Sequence, residues 1–321
     1  MPRNNDGTKA KAGKKPNLGE IKRDLISKGV KYCISSYVDV HGIPKGKNVP
    51  IAHFERMMRG SELFTGAALD GLGQGPQDDE LAIHPDPNAV QQLPWRPEIA
   101  WAPGRLMYHD EPWPMCSRNV LARQVERARK LGLQFNLGIE CEIYLVRMED
   151  GGFAPNNPND NIGKAAYDML LTLESFDWLD EVVSHMNTMG WHVHSFDHED
   201  SNGQYEFDFA YADVMTMCDR FVLWRLLTKE IARKYGWEAT FMPKPYAERT
   251  GSGAHFNMSL SSLRTGKNVS GDARDKRGCG LSKTAYQFLG GVKHHAPAIV
   301  ATTCPTVNSY KRLIKTGSMT G

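Results

Sequence analysis

Long apolar runs are missing. Nothing in the 321 residues approaches the length of a membrane-spanning helix, which sets aside an integral helical membrane protein. The start, MPRNNDGTKAKAGKKPN, has no apolar segment of the kind a secretory signal needs. Cysteine is sparse: Cys33, Cys116, Cys141, Cys218, Cys279 and Cys304 lie scattered with no CxxC spacing. That speaks against a disulfide framework or a zinc site and for a reduced, cytoplasmic protein. Net charge is nearly absent as well, +2 from 39 basic and 37 acidic residues. Five basic residues against one acid in the first 17 give +4, so the rest of the chain stands at −2. The basicity belongs to residues 1–16, which read as a disordered, solvated tail. No RRM, KH, finger or basic-helix pattern is visible, which argues against nucleic acid as a partner.

What is there is ordinary globular composition, 40% hydrophobic and 24% charged, in a chain long enough for two domains and a large core. Asn17 and Glu20 form a capping pair for a helix through about Ser27, closed by Gly29. Val30–Val38 reads as a strand, Asp39–Gly42 as its turn and Ile43–Pro50 as a second extended piece. A short helix follows at His53–Arg59, and residues 65–114 are rich in Gly and Pro, with strand-like Ala89–Leu93 and Ile99–Tyr108. Ser117 caps a helix to Leu131, with Gly132 past its end. From Gln134 strands alternate with long helices. Gly163–Met189 and Asp213–Tyr235 carry apolar residues at helical spacing, and their Met and aromatic residues read as core. Trp178, Trp224, Trp237, His192, His294 and His295 read as structural, and Ser282–His295 as a helix stopped by Pro297.

Acidic residues sit where strands should be apolar. Trp191–Phe209, WHVHSFDHEDSNGQYEFDF, reads as strand, tight turn at Ser201-Asn202-Gly203, and strand. Glu199 and Glu206 flank the turn and face each other across the ladder in this reading, with Asp197, Asp200 and Asp208 nearby. Like charges set opposite one another repel, so the stretch either holds a cation or is a solvated acidic turn. In Gly138–Val146, GIECEIYLV, Glu140 and Glu142 point to one face and Cys141 to the other. Glutamates are poor strand formers and are rarely buried unpaired, so this pair asks for metal or basic partners. Gly251–Leu260, GSGAHFNMSL, is glycine-rich and then strand-like, with His255, Asn257 and Ser259 on one face.

Taken in order, GIECEIYL, HEDSNGQYE, FMPKP, GSGAHFNMSL and PTVNSYKRL resemble the glutamine synthetase family, from about Leu18 to Arg312. The wording is similar to the branch that includes γ-glutamylmethylamide synthetase and the type III-like enzymes. The resemblance implies an α+β fold: a small N-terminal β-grasp domain over residues 17–113 and a larger catalytic α/β domain with a curved antiparallel sheet over 114–321. It implies ATP-dependent ligation of glutamate with ammonia or a small alkylamine through γ-glutamyl phosphate, with Mg²⁺ or Mn²⁺, in a homo-oligomeric ring. Glu142, Glu199 and Glu206 resemble the three glutamates of one metal site, and Glu140 and His255 two ligands of the other. Gly251 matches a glycine that holds substrate glutamate, and Arg312 the catalytic arginine that binds its carboxylate and steadies the phosphate. Asn257 and Ser259 lie where ATP phosphates are contacted, and Tyr211 where an aromatic flanks adenine.

Several positions depart from the family. Asn257 stands where many members carry a second histidine, and Thr250 where many have an asparagine that contacts glutamate. Thr65, in LFTGAALDG, falls near the aspartate that attracts ammonium, with Asp70 as an alternative. The chain stops at Gly321, and TGSMTG reads as a cut inside a loop, so a C-terminal segment with the last metal-binding glutamate, more arginines and a closing loop is expected to be missing. Two readings follow: an ATP-dependent amide ligase, or an inactive truncated homologue that binds metal or partners.

Overall fold

The computed structural model describes residues 16–314. The expected disordered tail, apart from Pro16, and the TGSMTG ending lie outside the described residues. The chain divides into two compact units, the first running to Gln134 and taking in Ser262–Gly266, the second holding Phe135–Ser261 and the residues from Lys267.

The first unit opens with α1 (Leu18–Ser27). The Asn17 side chain accepts from the backbone of Gly19 and Glu20, while its amide donates to Glu20 Oε1 at 3.1 Å. Strand β1 (Tyr32–Val38) pairs antiparallel with β2 (Pro44–Pro50) through the turn that Asp39 closes by accepting from the backbone of His41 and Ile43. Helix α2 (Phe54–Met58) and strands β3 (Glu62–Phe64), β4 (Leu81–Pro85), β5 (Gln91–Leu93), β6 (Arg96–Tyr108) and β7 (Glu111–Pro112) follow. The sheet order is β2-β1-β6-β4-β3, with β5 and β7 also on β6, and β1 runs parallel to β6. Two apolar clusters fill the unit, one around Cys33, Phe54 and Met57 and one around Tyr37, Leu81, Ile83 and Leu106.

Helix α3 (Ser117–Lys130) corrects the reading of its start. Cys116 holds the cap position with no side-chain cap bond, and the Ser117 hydroxyl donates instead to Val38 O at 3.1 Å.

In the second unit everything hangs on one long strand, β8 (Leu133–Glu149). It pairs with β9 (Gly152–Pro155), β11 (Gln204–Phe209), β12 (Ala212–Asp213), β13 (Glu238–Thr240) and β14 (Ala254–Ser262), and β10 (Val193–His198) pairs with β11. Helices α4 (Met169–Glu174), α5 (Phe176–Thr188), α6 (Val214–Lys234), α7 (Lys283–Thr303) and α8 (Val307–Arg312) complete it. Trp178 of α5 and Trp224 of α6 are fully buried against Phe207, with ring centroids 5.7 and 5.8 Å apart. No helix among the described residues is long and apolar enough to cross a membrane.

Three sequence expectations change here. The helix read over 163–189 is two helices preceded by irregular chain, because Lys164 and Tyr167 adopt positive φ (61° and 64°) and Asp168 caps a fresh start at α4. Tyr167 and Met169, read as core, are exposed. Helix α7 runs through Pro297 to Thr303; a proline inside a helix removes one backbone hydrogen bond and crowds the carbonyl four residues before it, which kinks some helices and ends others. His192, His294 and His295 are all exposed.

Candidate functional site

Alternation builds the site. On β11, Tyr205, Phe207 and Phe209 turn into the core, so Gln204, Glu206 and Asp208 occupy the other face. On β8, Cys141, Ile143 and Leu145 are buried, and Glu140 and Glu142 alternate with them. The register then sets Glu206 directly across from Glu142 on one side and from Asp197 of β10 on the other.

Distances close the array. Ligand atoms of Glu140, Glu206 and Asp208 lie within 4.8 Å of one another, and so do those of Glu142, Glu206 and His255. His255 Nδ1 stands 3.3 Å from Glu140 Oε2, and Asn257 donates to Glu140 Oε1 at 2.7 Å. Glu142 Oε2 accepts from Gly253 N at 2.9 Å and from Gln204 Nε2 at 2.8 Å.

The electrostatics are those of a site built around positive charge. Burial pushes Glu206 up to about 8, with Glu199, Asp208, Glu142 and Glu140 adding to the push. Asp197 rises to about 6, by burial first and then by Glu199 and Asp208. Burial also raises Glu142, against the opposing Gly253 N–H. Glu206 Oε2 and Asp208 Oδ1 are buried with no hydrogen-bond partner among the described residues. Carboxylate oxygens with one imidazole are a donor set for Mg²⁺ or Mn²⁺, and two orphaned carboxylate oxygens fit such an ion.

Glu199 does not face Glu206 as the hairpin reading expects. Its N–H donates to Gln204 O at 2.8 Å, so Gln204 is its neighbour in the ladder. Asp197 takes the facing position, and Glu199 acts on Glu206 as a nearby charge.

Arg312 reaches the same place from α8. A Cβ on Gly251 would stand 2.7 Å from Arg312 Cγ, and one on Gly253 would stand 2.8 Å from Glu142 Oε1 and 3.3 Å from Arg312 Nη2. The two glycines thus leave the room in which guanidinium and carboxylate approach. Asn257 and Tyr211 meet over Gly138, whose Cβ would lie 3.5 Å from both side chains. Tyr211 is 69% exposed, and Ser259 sits half-buried two residues beyond Asn257 on β14. The Thr250 hydroxyl is committed to Asp200, and its carbonyl accepts from Tyr144. In the first unit, Thr65 donates to Glu80 at 2.9 Å and Asp70 lies 3.1 Å from His41 Nε2.

Three residues at the site escape sequence reasoning. Asp208 appears there only as a neighbouring acid. Gln204 is fully buried, and its amide holds Glu142. Tyr167 is 74% exposed in a left-handed conformation, with its phenol raised by the charges of Glu199, Asp197 and Glu206. Strand alternation applied to Gln204–Phe209 would have marked Asp208 and Gln204, but nothing local marks Tyr167.

Comparison with known proteins gives the family. The glutamine synthetase catalytic domain matches residues 114–319. The chain is 35% identical over 303 residues to the glutamate–methylamine ligase of Methyloversatilis universalis, covering 94% of this chain and 68% of that one. It is 36% identical to a glutamine synthetase of Rhizobium meliloti, covering 89% and 65%. A solved complex of GmaS with ADP superposes with a TM-score of 0.86 at 35% identity, covering 93% of this chain and 67% of that one. A glutamine synthase homologue gives 0.77 at 27%, covering 88% and 67%. The mixed α/β fold is therefore the one expected. The chain spans about two thirds of the length of these relatives.

Proposed function

The chain belongs to the glutamine synthetase family, and on that premise we propose that it ligates glutamate with ammonia or a small alkylamine at the expense of ATP. The γ-phosphoryl group of ATP passes to the γ-carboxylate of glutamate, leaving ADP and γ-glutamyl phosphate. The amine nitrogen then attacks the acyl carbon, the C–O bond to phosphate breaks, and the nitrogen gives up a proton, leaving glutamine or a γ-glutamyl amide.

The observation that carries this reading is the convergence of Glu140, Glu142, Glu206 and His255 from three strands, with Arg312 beside Glu142. Glu142, Glu199 and Glu206 would hold one divalent cation and Glu140 and His255 a second, with Asp208 added to the set. Such cations neutralise the phosphates and align phosphoryl donor and acceptor. Arg312 binds the glutamate carboxylate and the transferring phosphoryl group in the room left by Gly251. Asn257 orients Glu140 instead of meeting phosphate directly, Ser259 lies further along the same strand toward the nucleotide, and exposed Tyr211 offers its ring to adenine. A carboxylate of the array takes the proton that the amine gives up.

The same reading assigns residues 17–113 to a β-grasp domain and 114–321 to the catalytic domain. It also assigns assembly into a homo-oligomeric ring and a cytoplasmic setting, which six scattered cysteines without CxxC spacing support. The test is ADP formation with Mg²⁺ or Mn²⁺. ADP release that needs both glutamate and an amine supports the assignment, and ADP release indifferent to glutamate overturns it.

A further inference from the structure

Between β9 and α4, the Asp160 carboxylate is wholly enclosed, with 0% of its side chain exposed. Acids are rarely buried so completely. Among the described residues its hydrogen bonds go to the segment that joins Glu199 to Glu206 and to the residue just before it. His198 Nε2 lies 2.7 Å from Asp160 Oδ2, Gly203 N donates to the same oxygen at 2.6 Å, and Asn202 Nδ2 donates to Oδ1 at 2.7 Å. His198, also 0% exposed, turns its other ring nitrogen to Glu199 O at 2.8 Å. The strap that carries Asp160 is tied to the hairpin a second time, where Tyr167 N donates to His198 O at 2.8 Å.

The hairpin does not need this acid in order to close. Gln204 N donates to Ser201 O at 2.9 Å and Glu199 N to Gln204 O at 2.8 Å, which completes the turn by itself. Nor does a buried acid–imidazole pair contribute much net stability, since desolvation offsets the attraction. What the pair does supply is direction. It fixes the main chain at Glu199 and at the turn, and hence the line along which the Glu199 and Glu206 side chains leave it. Groups behind metal ligands commonly act in this way.

We propose that Asp160 and His198 are positioning residues that aim the Glu199–Glu206 hairpin at a divalent cation; this rests on the cation-site reading above. Asp160 touches no ligand oxygen itself, and its effect passes through His198, Asn202 and Gly203.

The experiment is a Mn²⁺ titration followed by the EPR signal of free Mn²⁺, run on the full chain with metal-free melting recorded beside it. Asp160→Asn keeps the shape and removes the charge, and should weaken Mn²⁺ binding about tenfold or more. Ser175→Ala removes bonds to Tyr205 and Asn156 in the same buried region. It should lower the melting temperature at least as much while leaving Mn²⁺ affinity at the parent value. Should Asp160→Asn fail to fold, Asn202→Ala removes one bond to Asp160 at the partly exposed turn and should weaken Mn²⁺ binding about threefold. Parent affinity in whichever of the two variants folds would overturn the proposal, as would a loss that Ser175→Ala reproduces. Glu206→Gln separates the two ideas. If it binds Mn²⁺ as the parent does, the cation site itself is wrong. If it loses Mn²⁺ while Asp160→Asn does not, only the positioning role is wrong.

Discussion

Glu206 and Glu142 stand directly opposite each other on neighbouring antiparallel strands, and Glu206 meets Asp197 in the same way on its other side. Without a cation, that opposition is relieved by protons. The pKa of Glu206 in the folded chain is about 8 against an ordinary 4.5, so the folded state binds the proton more tightly than the unfolded one. Stability from this group is full below about 4.5 and is lost as pH rises towards 8. In EDTA, the melting temperature should therefore fall across that window. Glu206→Gln should flatten the slope, and Mn²⁺ at pH 8 should raise the melting temperature of the parent only. A parent curve that stays level from pH 5 to 8 in EDTA would contradict this.

Gly251 leaves no room for a methyl group. An added Cβ would lie 2.7 Å from both Arg312 Cγ and Pro243 O, and the carbonyl cannot move without breaking its bond from Ser252 N. Gly251→Ala should cost about 1–3 kcal/mol in urea unfolding and displace Arg312. Arg312→Lys keeps a cation but loses the planar fork, and should lower glutamate-dependent ADP formation about 100-fold with little change in unfolding. Equal activity in Arg312→Lys and parent would remove Arg312 from the chemistry.

The acceptor amine should be small and need not be ammonia. Thr65 stands near the position of the family's ammonium-attracting aspartate, followed by the small residues Gly66, Ala67 and Ala68, and its hydroxyl donates to Glu80 at 2.9 Å. A methyl group set against small residues adds an apolar contact worth about 1 kcal/mol. Specificity constants for methylamine should match or exceed those for ammonia at equal free-base concentration. An ammonia constant well above that for methylamine would return the chain to glutamine synthesis.

Two helix starts test the fold itself. Asn17→Ala removes the side chain that closes the first turn of α1 and should cost about 1 kcal/mol. Ser117→Ala removes only a bond to Val38 O and should cost about 0.5 kcal/mol. Equal losses in chemical unfolding would mean that Ser117 serves as a cap after all.

Period-two alternation makes Glu140, Glu142 and the hairpin readable in the sequence alone, because each signal is contained in a few consecutive residues. The partnership of Glu142 with Glu206 was not, since nothing local reports which strands become neighbours. Glu199 was misplaced because counting from a turn needs the identity of its closing pair, and Gln204 occupies the place that Glu206 was given. Tyr167 was hidden in an apparent helix, where two residues at positive φ break a pattern that composition alone continues. Pro297 misled in the opposite sense, by being tolerated.

Strand β8 also decides when the carboxylates can meet. Gln204 and Gly253 reach Glu142 across sequence separations of 62 and 111 residues, and His255 reaches Glu140 across 115. Closing loops of that size carries an entropic cost that early, local structure does not repay. The meeting of Glu142 with Glu206 and of Glu140 with His255 is therefore expected later in folding than the β10–β11 hairpin, which by itself sets Glu206 against Asp197. A cation drawn to that array acts as a latch on the finished chain, so Mn²⁺ uptake during refolding would time the last step.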